Sequence, residues 1–165
     1  MAASLAGLDL GDDVIVPSYT FSSTASAVAL RGATPVFVDV RAEDLNLDIS
    51  KAEAAITEKT KAIIIVHYGG VPAQPDKFRT LCDENGLFLI EDAAQAIGVS
   101  YGGKPLGSWG DFGCISFHAT KNIQCGEGGA LVLINKGKIK DAEVIREKGT
   151  DRSAFLRGDL DRYTW

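Results

Sequence analysis

The stretch A-I-I-I-V-H-Y-G-G-V-P-A-Q-P-D-K-F-R-T-L-C-D-E-N-G-L-F-L-I-E-D, residues 62–92, decides the fold. An unbroken apolar run at 62–66 leads through glycines to a segment opened by Pro75, whose Phe78, Leu81 and Cys82 share one helical face. Gly86 ends that segment, and a second apolar run follows at 87–90. Continuous rather than alternating hydrophobicity marks a strand covered on both faces. Proline at the start and glycine just past the end punctuate a helix. The unit therefore reads as β-α-β, the connection that joins two parallel strands.

Further apolar runs lie outward from this unit: V-I-V at 14–16, V-F-V-D-V at 36–40, C-I-S-F at 114–117 and A-L-V-L-I at 130–134. Helical patterns fill residues 22–31, stopped by Gly32, and 138–148, stopped by Gly149. Ser50 and Glu53 have the spacing of a capping box that opens a short helix. The alternation predicts a three-layer α/β/α domain with a mainly parallel sheet and right-handed crossovers. In such sheets ligands gather at the carboxyl ends of the strands, here the loops after residues 16, 40, 66, 90 and 117. No internal repeat, low-complexity tract or linker interrupts the pattern.

With 165 residues, 45% of them apolar, the chain has the length of one domain with a real core. A net charge of -5 with scattered Lys and Arg provides no basic field for nucleic acid or anionic lipid. No apolar stretch reaches the roughly 20 residues of a membrane helix, and no secretory leader pattern follows Met1. The expected location is the cytoplasm. Cys82, Cys114 and Cys125 are odd in number and widely spaced, which favours reduced thiols over a disulfide frame. Cys114, His118 and Cys125 lack both paired-cysteine and H-E-x-x-H spacing, so no metal site is expected.

Four strand ends carry residues of one chemical sense. After V-I-V, the segment P-S-Y-T-F sets Tyr19 and Phe21 where an aromatic ring can lie on a planar ligand or fold back into the core. Glu91 and Asp92 follow a buried strand, and alternation sends them to opposite faces, so one of them enters the cleft. Asp92 suits a protonated ring nitrogen or a helix N-cap; Gln95 suits the same ligand or a backbone bond. Ser116 ends the next strand as a phosphate ligand or a turn residue, and Lys121 sits five residues on in a glycine-rich turn. A loop lysine is ordinarily a solvated charge. An amine, a carboxylate, a stacking ring and a hydroxyl together are what pyridoxal 5'-phosphate requires.

The motifs P-S-Y-T-F, V-F-V-D-V, H-Y-G-G, E-D-A-A-Q-A and S-F-H-A-T-K-N-I-Q-C-G-E-G-G-A-L, in this order, resemble the DegT family of sugar aminotransferases. The resemblance implies the fold-type-I architecture with pyridoxal 5'-phosphate as cofactor and a homodimeric full-length protein. It implies that Lys121 is the Schiff-base lysine and that Asp92 pairs with the ring nitrogen. It further implies that Gln95 lies on the phenolic oxygen side, that Phe21 stacks on the ring and that Ser116 binds phosphate. The tail from Lys148 to Trp165, with Arg152 and Arg157, narrows the resemblance to enzymes that aminate the 4-keto group of a dTDP-linked 6-deoxyhexose with glutamate as donor. Such enzymes serve lipopolysaccharide or antigen sugar biosynthesis.

Against the family pattern, a G-T-x-A-L segment and a C-terminal small domain fall outside these residues. The expectation is a truncated product, with 1–165 a partial large domain. The alternative is a catalytically silent binding or regulatory module on the same fold. Lys121 argues against the dehydratase branch, where histidine replaces the lysine. A flavodoxin-like nucleotide binder would need a glycine-rich loop where P-S-Y-T-F stands.

Overall fold

The computed structural model describes residues 1–164. Eight strands are present: β1 (Asp13–Pro17), β2 (Thr34–Val38), β3 (Thr60–Val66), β4 (Phe88–Asp92), β5 (Ser100–Tyr101), β6 (Lys104–Pro105), β7 (Phe112–Ser116) and β8 (Gly129–Leu133). The helices are α1 (Ala2–Leu5), α2 (Ser22–Ala29), α3 (Ile49–Ala54), α4 (Pro75–Asn85), α5 (Ile139–Arg146) and α6 (Arg152–Leu156). Two compact units contain them, one of Ala2–Ile134 and one built from residue 135 onward with Met1.

In the larger unit the main sheet has the order β2-β1-β3-β4-β7-β8. Every neighbouring pair is parallel except β7 and β8. The chain leaves β1 toward β2 on one side and then returns to β3 on the other, which makes the carboxyl ends of β1 and β3 a switch point. The mainly parallel α/β expectation holds, and G-E-G-G at 126–129 turns the chain back into the antiparallel β8. The hairpin of β5 and β6 carried no signal, since two-residue strands are too short for a hydrophobic period.

Ile15, Ile63, Ile65 and Leu89 project from three adjacent strands onto Phe78, Leu81 and Cys82 of α4 and Ala52 of α3. Complete burial of each large apolar side chain contributes roughly 1.5–3 kcal/mol. Full coverage applies to β1, β3 and β4 but not to the flanking strands: Phe37 of β2 is 58% exposed and β8 is only half-buried or exposed. Strand position, not composition, decides this difference.

α4 starts at Pro75 and stops at Gly86, whose φ of 66° is left-handed. Leu87 then donates to the Cys82 carbonyl at 2.9 Å, closing the helix end as a glycine cap does. α3 departs from the expected capping box. Asp48 is the cap, its Oδ1 accepting from the Ser50 and Lys51 amides at 2.9 and 3.3 Å. The Ser50 hydroxyl donates to that same oxygen at 2.6 Å, so a carboxylate two residues upstream has displaced it as acceptor.

Gly113 in β7 lies directly under the Gly107 carbonyl, and a Cβ there would overlap it. Gly113→Ala is expected to destabilise the unit by about 1–3 kcal/mol, the usual effect of overpacking. A denaturant midpoint equal to that of the unaltered protein would refute this close approach.

In the smaller unit, Asn135 caps a short 3-10 turn by accepting from the Gly137 amide at 2.8 Å. α5 is shorter than the 138–148 pattern because Lys148 and Gly149 take positive φ, and Gly149 donates to Val144 at 2.8 Å. Arg157 bonds both carboxylate oxygens of Glu143 at 2.8 and 2.9 Å. Arg152 is exposed, 3.9 Å from Glu147. Trp165, the last residue of the tail noted above, lies outside the described residues.

Candidate functional site

Parallel pairing brings the last residues of β1, β3, β4 and β7 to one edge of the sheet, and the loops beyond them are joined by specific hydrogen bonds. Asp92, the final residue of β4, accepts at Oδ2 from the Thr24 hydroxyl of α2 at 3.0 Å. Its Oδ1 accepts from the Ala94 amide at 3.1 Å. Gln95 Oε1 accepts from the Gly69 amide at 2.6 Å, tying the loop after β4 to the loop after β3. Asn122, next to Lys121, donates to the Ile97 carbonyl at 3.3 Å, so the loop after β7 meets the loop after β4.

Phe21 is 76% exposed and forms the start of α2, with its carbonyl accepting from the Thr24 amide at 3.1 Å. Its ring does not fold back into the core. Tyr19 turns to Tyr68 instead: the ring centroids are 5.1 Å apart and the hydroxyls 3.2 Å apart. That hydrogen bond pushes the Tyr68 phenol above its ordinary range. Beneath Tyr68, buried Asn46 accepts from its amide at 3.0 Å and donates to the Val71 carbonyl at 3.1 Å.

Ser116 ends β7 and accepts from the His118 amide at 3.3 Å, which leaves its own hydroxyl proton free to donate. Lys121 is half-buried, and its amide donates to the His118 carbonyl at 2.9 Å. Among the described residues its ammonium has no hydrogen-bonding or ionic partner. The Lys121 loop is closed by Phe117 donating to Gly128 at 2.8 Å and Cys125 donating to Phe117 at 2.9 Å.

Glu91 points to the face opposite Asp92, as alternation requires, and is fully buried. Its oxygens accept from the amides of Gly107 at 2.9 Å, Gly110 at 2.7 Å and Trp109, and from His67 Nε2 at 2.8 Å. His67 Nδ1 accepts from the Ala73 amide at 3.1 Å, so the ring carries its proton on Nε2 and donates it to Glu91. Burial pushes the Glu91 carboxyl up, but the His67 bond and the Gly110 and Gly107 amides outweigh it and hold it below the usual range.

Sequence reading singled out Asp92, Gln95, Phe21, Ser116 and Lys121, and all five lie on these four strand ends or the loops after them. It did not find Thr24 or the pairing of His67 with Glu91. Thr24 sits in the run S-S-T-A-S, where nothing local distinguishes it from its neighbours. His67 and Glu91 are 24 residues apart and meet only when β3 and β4 pair. Among the described residues no three His, Cys, Asp or Glu side chains form a metal group. Burial and nearby Asp92 push the Cys114 thiol up to about 11, so it is protonated at neutral pH.

The donor set fits pyridoxal phosphate. An amine unpaired among the described residues and half-buried, a carboxylate with both oxygens held, a hydroxyl with its proton free and an exposed ring share one edge of the sheet.

Comparison with known proteins gives consistent matches. The family described as "DegT/DnrJ/EryC1/StrS aminotransferase family" matches residues 1–160. An uncharacterized protein of Methanocaldococcus jannaschii is 42% identical over 146 residues, 88% of this chain and 38% of that protein. The structure of S. venezuelae DesV in complex with an intermediate superimposes with a TM-score of 0.86 at 40% identity, over 90% of this chain and 40% of DesV. DesI, determined in the presence of its TDP-sugar product, gives a TM-score of 0.82 at 39% identity, over 90% of this chain and 38% of DesI. The chain thus spans about two fifths of the length of these relatives.

Proposed function

The chain belongs to the DegT/DnrJ/EryC1/StrS aminotransferase family, and on that premise we propose that it is part of the large domain of a nucleotide-sugar aminotransferase. Members of the family use pyridoxal 5'-phosphate. In its finer form the reading is that of a dTDP-4-amino-4,6-dideoxygalactose transaminase, moving the amino group of glutamate to the 4-keto carbon of a dTDP-linked 6-deoxyhexose. The product would enter lipopolysaccharide or antigen sugars. The reading includes a homodimeric full protein in the cytoplasm, as the family resemblance implies. Among the described residues no helix is long and apolar enough to cross a membrane.

One observation carries the reading: Lys121, Asp92, Gln95, Phe21 and Ser116 sit on strand ends and loops stitched together by the Thr24–Asp92, Gly69–Gln95 and Asn122–Ile97 hydrogen bonds. When bound, pyridoxal phosphate supplies an aldehyde carbon that takes amines and a ring that accepts electrons. Asp92 would accept the ring N–H and keep that proton in place. Phe21 would cover one ring face and exclude water there, and Ser116 would donate to the phosphate. Gln95, its Oε1 already engaged with Gly69, would offer its amide N–H groups to the phenolic oxygen side.

Lys121, whose ammonium has no partner among the described residues, would hold the group through its aldehyde carbon. Once free, the same amine would take the substrate's α-proton and return it to the carbon two atoms away, beyond the intervening nitrogen, and would perform the reverse transfers on the sugar. A base released beside the proton it must move is already in position, and such catalysis contributes roughly 10²–10⁴-fold.

The chain mixed with pyridoxal phosphate is expected to turn yellow, lose the band on addition of glutamate and regain it with dTDP-4-keto-6-deoxyhexose. A band that glutamate leaves unchanged would support the silent-module alternative instead.

A further inference from the structure

We propose that Thr24 is a positioning residue that fixes Asp92 and Phe21 relative to one another, and hence the ring-nitrogen contact relative to the ring-face contact. The proposal rests on the aminotransferase reading and deepens it. Three hydrogen bonds meet on this one residue, which is only 5% exposed. Its amide donates to the Phe21 carbonyl at 3.1 Å, its hydroxyl donates to Asp92 Oδ2 at 3.0 Å, and the Thr20 hydroxyl is 2.8 Å from its own.

The direction of this chain is forced. A hydroxyl has one proton, and an ionised carboxylate only accepts. Thr24 therefore gives its proton to Asp92, and Thr20 must give its proton to Thr24. The relay runs from the loop that carries Phe21, through the first turn of α2, to the end of β4. Each bond polarises the next, so the acceptor at the end is held more firmly than by an isolated hydroxyl.

Ser26, two residues along the same helix, provides a contrast. Its hydroxyl bonds back to the Ser22 carbonyl at 2.9 Å, the usual local choice for a hydroxyl in a helix. The Thr24 hydroxyl forgoes that choice and crosses 68 residues of sequence to Asp92. With Ala94 on Oδ1 and Thr24 on Oδ2, both oxygens are fixed while lone pairs remain for a third donor. That is the arrangement of a carboxylate aimed at one N–H.

The test compares Thr24→Val, which keeps the shape and removes the hydroxyl, with Thr24→Ser, which keeps the hydroxyl. Pyridoxal phosphate is titrated into the full chain and followed by absorbance. Thr24→Val is expected to raise the Kd roughly 10- to 100-fold, the loss of one hydrogen bond to a charged group, and to shift the band maximum. Thr24→Ser should restore both, and Thr20→Val should move both in the same direction by less. Unaltered affinity and band in Thr24→Val, or equal damage in Thr24→Ser, would overturn the proposal.

A denaturant double-mutant cycle of Thr24→Val with Asp92→Ala needs no cofactor. The two effects are expected to be less than additive, and strict additivity would remove the link between the residues. Failure of the unaltered chain to bind pyridoxal phosphate, with coupling retained in the cycle, would instead strike the aminotransferase reading on which the positioning role rests.

Discussion

Lys121→Ala is expected to leave the protein colourless in pyridoxal phosphate and unlabelled after borohydride, whereas the unaltered chain forms a yellow band that borohydride fixes on Lys121. Among the described residues Lys121 is the lysine in the loop joining β7 to β8, and its ammonium has no carboxylate partner to stabilise. A lysine that served only the fold would be paired or fully solvated; this one is half-buried, in the loop that Asn122 ties to Ile97. Its removal should therefore cost less than about 0.5 kcal/mol of stability, as for other changes away from packed features. It should lower amino transfer by at least the roughly 10²–10⁴-fold assigned to a positioned base. Peptide mapping of the reduced adduct decides the matter, and a label on any lysine other than Lys121 would sink the assignment.

Glu91→Ala is expected to produce the largest loss of stability in the chain. It would leave the Gly107, Trp109 and Gly110 amides and the His67 Nε2–H facing a buried space with no acceptor. Removing one partner of a buried pair costs roughly 3–5 kcal/mol, against a total of about 5–15 kcal/mol for a whole domain. Glu91→Gln retains one acceptor oxygen and turns the other into a donor, so about 1–3 kcal/mol is expected for the donors left facing it. Urea midpoints of the two variants would measure this. A Glu91→Ala protein within about 1 kcal/mol of the unaltered one, no more than an ordinary single substitution costs, would refute the network's weight.

The same carboxylate sets a pH dependence. Its folded-state pKa lies below the ordinary value of 4.5, so the unfolded chain binds its proton first as pH falls. The Glu91 contribution is complete above that ordinary value and declines as pH drops through and below it. The acid limb of the unaltered protein should therefore be steeper than that of Glu91→Gln, and parallel limbs would contradict the shift.

The central β-α-β unit was legible because β3, α4 and β4 are each defined by their own residues: buried runs, Pro75 and Gly86. Asp92 and Glu91 were separable by strand alternation alone. What lay beyond reading was set by pairing across the sheet. β2 and β8 have core-like composition but flank the sheet, so Phe37 is exposed. Thr24 resembles Ser22, Ser23 and Ser26 until α2 docks near the end of β4. The α3 cap moved to Asp48 because a charged acceptor there engages both Ser50 and Lys51, a competition that motif spacing does not reveal.

Glu91 engages main-chain N–H groups, and this divides the 107–113 segment by its tolerance for evolutionary drift. At Trp109 a change of side chain keeps the bond to Glu91, because any residue but proline presents the same amide. Gly107, Gly110 and Gly113 lack that freedom, since a Cβ on each would press on Ala93, on the Leu89 carbonyl or on the Gly107 carbonyl. The segment is thus constrained twice over, at the glycines by close backbone approach and at the Glu91 amides by the need for any residue but proline.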